Sequence, residues 1–147
     1  MGFGVDSSTL INGMCLPFVI KKKDKPMQRV TDSILTLSEN IRYVAIYSHG
    51  ELVTSSRPGT SGASSSESDK YEELLVNPTI LTLVNQRGNI DCGGAKFVLV
   101  RYGNFYQIVM PIDEGHISIC VEPHADPLEL IEPVVVTLSN SALFTHR

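Results

Sequence analysis

Residues 95–122 read AKFVLVRYGNFYQIVMPIDEGHISICVE: three apolar runs cut by two short breaks, and this pattern decides the fold. Gly103-Asn104 separates the run 98–102 from 105–110, and a two-residue Gly-Asn link between such runs signals a tight hairpin. Asp113-Glu114-Gly115 separates Met110 from 116–121, a three-residue turn with glycine available for positive φ. The C-terminal half therefore reads as a three-stranded antiparallel meander. Everything else must cover its faces or pair with its edges.

Upstream, Met27, Val30, Ile34 and Leu37 are spaced three, four and three apart, with Leu35 widening the stripe, which predicts a helix over 27–39 ending at Asn40. The run 41–47 and the run 52–55 flank Ser48-His49-Gly50-Glu51 and predict a second hairpin. Residues 57–69, RPGTSGASSSESD, hold almost no apolar side chain and read as a flexible Gly/Ser-rich loop. Tyr71, Leu74, Leu75, Leu81 and Val84 restore helical spacing. Asn77 before Pro78 reads as an N-cap with proline at the first helical position, giving short helices at 69–76 and 78–87, either separate or acting as one kinked unit. Downstream of the meander, Asp126 caps and Pro127 starts a last helix bearing Leu128, Ile131, Val135 and Leu138, with Pro133 expected to disturb its middle. Residues 139–147 read as a fraying tail.

With 147 residues the chain has room for one domain. Hydrophobic residues are 42%, charged residues 19% and the net charge is −4, an ordinary globular balance that argues against disorder and against a nucleic-acid binder. Cys15, Cys92 and Cys120 form no CxxC and no even framework, which fits free thiols in a reducing cytoplasm. The apolar run at 15–20 is too short to span a bilayer. Its lysines (Lys21, Lys22, Lys23, Lys25) follow it, whereas a signal peptide places them before. Residues 1–26 are expected to be a flexible extension with no membrane insertion, and 27–138 the folded domain.

The element order is helix, two strands, helical segment, three strands, helix. Over 27–138 it resembles the roadblock/LC7 family, which shares its profilin-like architecture with longin domains. Three passages carry the likeness: IRYVAIYSHGELVTSS as the first hairpin, FVLVRYGNFYQIVMPIDEGHISICVE as the meander, and ADPLELIEPVV as the closing helix. NPTILTLVNQRGNIDCGG is closer in wording to a narrow group of uncharacterised archaeal proteins of this fold. The resemblance implies an α+β fold with a five-stranded antiparallel sheet in order 2-1-5-4-3, the first and last helices on one face and the middle helix on the other. It also implies a homodimer or heterodimer that binds or regulates small GTPases, or serves as a scaffold, without catalysis.

Chemistry-bearing residues are few. A nucleophilic site needs a thiolate with a base in reach; Cys92 in Asp91-Cys92-Gly93-Gly94 is the candidate, with His116 or His124 as base, but the glycines suffice as a helix-to-strand connector. Cys120 alternates with Ile119 and Val121 and reads as a buried small hydrophobe. His116, Ser118 and Cys120 share a strand face, too sparse a set for a metal. Gly59-Thr60-Ser61-Gly62 lacks the lysine of a phosphate loop, and Glu72-Glu73 is assigned to a solvated helix face. No cofactor is expected.

The reading is a non-enzymatic, dimeric interaction module, a regulator or scaffold for a small GTPase. Its dimer edge is the strand carrying Phe97, Val98, Leu99, Val100 and Arg101. The alternative is a small-ligand sensor with a pocket near 87–94, where Arg87, Asn89, Asp91 and Cys92 supply contacts to ligand or partner. A large apolar surface on the middle helix would favour the module; a closed pocket lined by Arg87, Asn89 and Asp91 would favour the sensor.

Overall fold

The computed structural model describes residues 25–59 and 65–141. The expected N-terminal extension before Lys25, residues 60–64 of the Ser-rich stretch and the end of the tail lie outside the described residues. Helix α1 is Pro26–Leu35, followed by β1, Ile41–Ser48, and β2, Glu51–Ser56. A long helical segment comes next: α2, Ser66–Tyr71, a π turn, Glu72–Val76, and α3, Asn77–Asp91. The meander is β3, Val98–Arg101, β4, Tyr106–Ile112, and β5, Gly115–Val121. A 3-10 turn, Pro127–Leu130, leads into α4, Ile131–Asn140.

All five strands form one antiparallel sheet in the order β2-β1-β5-β4-β3, the 2-1-5-4-3 arrangement expected. Because side chains alternate along a strand, its two faces differ in kind. Val44 and Ile46 pair with Ile119 and Ile117, which in turn pair with Ile108 and Met110. Together with Val30 and Ile34 of α1 and Val134 and Leu138 of α4, these form the apolar core. The opposite face carries Tyr43, Ala45 and Tyr47 beside Cys120, Ser118 and His116, with Gln107 next to Cys120. That face, far more polar, lies beneath the π turn.

Both turns of the meander work differently from the expectation. Gly103 and Asn104 keep negative φ, and the Tyr102 N–H donates to the Phe105 carbonyl. In the second turn Glu114, not Gly115, takes positive φ. Gly115 is needed for another reason: a β-carbon there would lie 1.7 Å from the Tyr47 carbonyl oxygen. The β1–β2 link is a two-residue turn in which His49 and Gly50 both have positive φ, the geometry that matches strand twist.

α1 stops four residues before the expected Glu39, and Leu37 is exposed instead of lying on the buried stripe. Arg57 explains the ending. Its guanidinium donates to the carbonyls of Leu35, Ser38 and Ile41, capping free helix-end acceptors with a cation. Ser66–Asp69, read as flexible loop, form a helix instead. Ser65 Oγ accepts from the Ser68 N–H, and Glu67 and Asp69 sit in the first turn, where the helix dipole favours negative charge. Pro133 does not disturb α4, because it falls in the first turn, where its missing N–H has no partner to lose. Leu128 lies in the 3-10 turn and is exposed, so Val134, not Leu128, completes the buried stripe.

Candidate functional site

The middle helical segment presents two surfaces. On its inner side, Glu73 is 1% exposed, although Glu72-Glu73 was expected to face solvent. Its Oε1 accepts from Asn77 Nδ2 at 2.9 Å and from His116 Nε2 at 2.8 Å, and its Oε2 from Ser118 Oγ at 2.5 Å. A carboxylate only accepts hydrogen bonds, so all three neighbours donate. Charge-assisted bonds of this kind offset the cost of taking an ionised group out of water. The His116 ring lies against Tyr47, with centroids 5.8 Å apart.

The π turn makes this possible. The Asn77 N–H donates to the Glu72 carbonyl, five residues back, so one extra residue is taken into the turn. Pro78 has no N–H to give to Leu74, and its ring would crowd that carbonyl in an unbroken α-helix. The wider turn accommodates the proline. Asn77 is accordingly helical and does not cap a new helix, so the two predicted helices are one segment reaching Asp91. Leu74 and Leu75, two of the residues that carry the helical spacing, face outward at 50% exposure each.

His116, Ser118 and Glu73 bring together the residue types of a hydrolytic triad, but in the wrong order. A nucleophile relay needs the imidazole between hydroxyl and carboxylate. Here the carboxylate stands between the other two, so Ser118 is bonded to Glu73 and not to the imidazole. Cys92 is exposed, and its Sγ lies 3.4 Å from Asp91 Oδ1. Its two proposed bases are engaged elsewhere: His116 with Glu73, and His124 with Asn40 at 3.1 Å. Cys120 is buried, as read, and burial and the nearby carboxylates of Glu72, Glu73 and Asp69 push its thiol well up. Among the described residues no group of three His, Cys, Asp or Glu side chains is placed to hold a metal.

Two depressions flank these elements. A polar cleft of about 210 Å³ lies between Ser68, Asp69, Glu72 and Glu73 of the helical segment and Arg42, Tyr43, Arg57 and Cys120 of the sheet side. A groove of about 870 Å³ runs along Gly93–Phe97, the β4–β5 turn and α4. Of the residues named for a sensor pocket, Asn89 lines this groove, whereas Arg87 and Asp91 pair with each other on the exposed surface.

The outer side of the middle segment carries large apolar side chains among polar ones such as Thr79, Gln86 and Arg87. Tyr71, Leu74, Leu75, Leu83, Val84 and Ile90 are all exposed, Leu83 by 66% and Ile90 by 74%. Leu83 and Ile90 are two turns apart and share one stripe. At the sheet margin, among the described residues, β3 pairs only with β4. It is four residues long and leaves out Phe97, which was read as part of the edge; Phe97 precedes it and, with Leu99, packs against the core. Among the described residues no helix is long and apolar enough to cross a membrane.

No protein-family model matches the sequence, and no curated protein matches it. Solved structures do share its fold. The roadblock/LC7 domain from Streptomyces avermitilis superposes with a TM-score of 0.56 at 11% identity, over 74% of this chain and 88% of that one. MglC from Myxococcus xanthus gives 0.51 at 12% identity, over 77% and 93%. MglB in a tetrameric arrangement gives 0.56 at 10% identity, over 76% and 82%. The fold is therefore roadblock/LC7-like: a five-stranded antiparallel sheet with helices on both faces.

Proposed function

We propose that this chain is a non-catalytic interaction module that pairs with its own copy and serves as a regulator or scaffold for a small GTPase. The observation that carries the reading is the outward apolar surface of the middle segment, Leu74, Leu75, Leu83 and Ile90, on a protein whose sheet also has an open β3 edge. Several large aliphatic side chains left exposed on one segment mark it as a candidate association surface. A strand edge offers unpaired backbone groups to a second strand, and a two-fold dimer makes each contact twice. The GTPase enters through the roadblock/LC7 likeness of the fold alone.

Light scattering at micromolar concentration tests the first half. A dimer is expected, and a chain that stays monomeric at its highest soluble concentration overturns it. Purification of the tagged chain from native lysate, with mass-spectrometric identification, tests the second; a GTPase retained at high stoichiometry supports it. The sensor reading keeps one supporting observation, the groove lined by Asn89, Gly93 and Gly94. Chemical-shift changes confined to those residues on screening small polar ligands would favour it instead.

A further inference from the structure

Asn77-Pro78 carries the sequence signature of a helix start, yet it lies inside a continuous helical segment. The residue before a proline favours extended backbone, which is also the conformation of an N-cap. Asn77 instead has φ −65° and ψ −44°. Its Nδ2 donates to Glu73, while its buried Oδ1 has no hydrogen-bond partner among the described residues. The same side chain thus has two uses. Its nitrogen on Glu73 holds the segment continuous, and its oxygen on the first turn of α3 would cap a helix starting at Pro78.

The part of the segment before Asn77 is lightly held. α2 buries no side chain, and the π turn buries Glu73 alone. We infer that residues 66–76 form a lid over the polar cleft and Cys120, hinged at Asn77-Pro78 and latched by Glu73 on His116 and Ser118. On opening, the Glu73 carboxylate returns to water, Asn77 turns to cap α3, and Tyr43 and Cys120 become accessible. The buried Tyr43 hydroxyl, which has no hydrogen-bond partner among the described residues, gains water. Segments that open locally have few buried apolar contacts and a free energy of opening below that of global unfolding, and 66–76 fits that description. The observations behind the lid lie on the inner side of the segment and do not rest on dimerisation, but Leu74 and Leu75 travel with the lid, so association through them would favour the closed position.

Cys120 reports the lid directly. In the full chain bearing Cys15→Ser and Cys92→Ser, reaction with Ellman's reagent is expected to be slow. Glu73→Ala removes the latch and should speed labelling about tenfold, the factor set by ~1.4 kcal/mol, at a rate nearly independent of low urea. Pro78→Ala restores the N–H and removes the preference for a break, so in the Glu73→Ala background it should slow labelling again. Should Glu73→Ala fail to fold, Ser118→Ala, which removes one donor from the latch, carries the same comparison. The lid is overturned if labelling accelerates with urea as steeply as global unfolding does, or if Pro78→Ala leaves the rate unchanged.

Discussion

At the scale of single residues, the polar face of the sheet is where charge and burial oppose each other. Glu72 stands half in water beside Glu73 and Asp69. Burial first, and then those two carboxylates, raise its pKa, against a lowering influence of the Gln107 side chain. A carboxyl whose pKa is raised in the folded state binds its proton more tightly there than in the unfolded chain. Its contribution to stability is therefore greatest below the unfolded carboxylate pKa and is lost as pH rises through the folded one. Glu72→Gln should then raise stability at neutral pH, with the gain disappearing in acid; urea titrations at the two pH values check this. Gly115 is limited by space. With a β-carbon 1.7 Å from the Tyr47 carbonyl oxygen, Gly115→Ala must push β5 away from β1. The loss should fall at the upper end of the roughly 0.5–3 kcal/mol that single substitutions cost. In the apolar core, Ile34 is fully buried among residues of both hairpins and α4, and Ile34→Ala should cost about 2–5 kcal/mol in chemical denaturation.

At the scale of elements, legibility followed the range of the forces involved. The meander, the first hairpin and the α1 stripe through Val30 and Ile34 were readable because local alternation or helical spacing carries them. The inner side of the middle segment was not legible in this way. Glu72-Glu73 has the spacing of a solvated face, yet Glu73 is inside. What reverses the pattern is a set of donors on β5, His116 and Ser118, which lie 43 and 45 residues away. No local window contains them. Asn77-Pro78 was likewise a correct signal for a break that the latch overrides with a π turn. The end of α1 was missed for the same reason, since Arg57 reaches back from beyond β2. Of the residues put forward for a site, Asn89 alone among Arg87, Asn89 and Asp91 reaches the groove; the i,i+4 spacing of Arg87 and Asp91 already favoured their pairing with each other. The edge strand gives a test at this scale. Val98 and Leu99 start β3, and proline removes a backbone donor wherever it enters a strand. If a partner strand pairs there, one of Val98→Pro and Leu99→Pro should abolish the dimer in sedimentation. Dimers that survive both prolines would place the contact elsewhere.

For the whole molecule, the decisive asymmetry is between the covered and uncovered sides of the sheet. α1 and α4 cover the apolar face with buried side chains, leaving the groove along α4 at its margin. The middle segment covers the polar face but turns Leu83 and Ile90 toward solvent, and burying a large aliphatic side chain is worth about 1.5–3 kcal/mol. A second copy that covered this stripe would recover that free energy twice through the two-fold axis. Leu83→Asp and Ile90→Asp are therefore expected to weaken association by at least about tenfold each, since every ~1.4 kcal/mol lost is a factor of ten. Because both positions already lie in water in the single chain, the same changes should leave monomer stability within about 0.5 kcal/mol of the original, the usual range for surface substitutions. The two measurements together separate an interface from a fold defect. Association that falls with stability intact supports the stripe as the contact. Stability that falls in step with association would mean that Leu83 and Ile90 serve the chain's own packing, and the partner would then have to meet β3 alone.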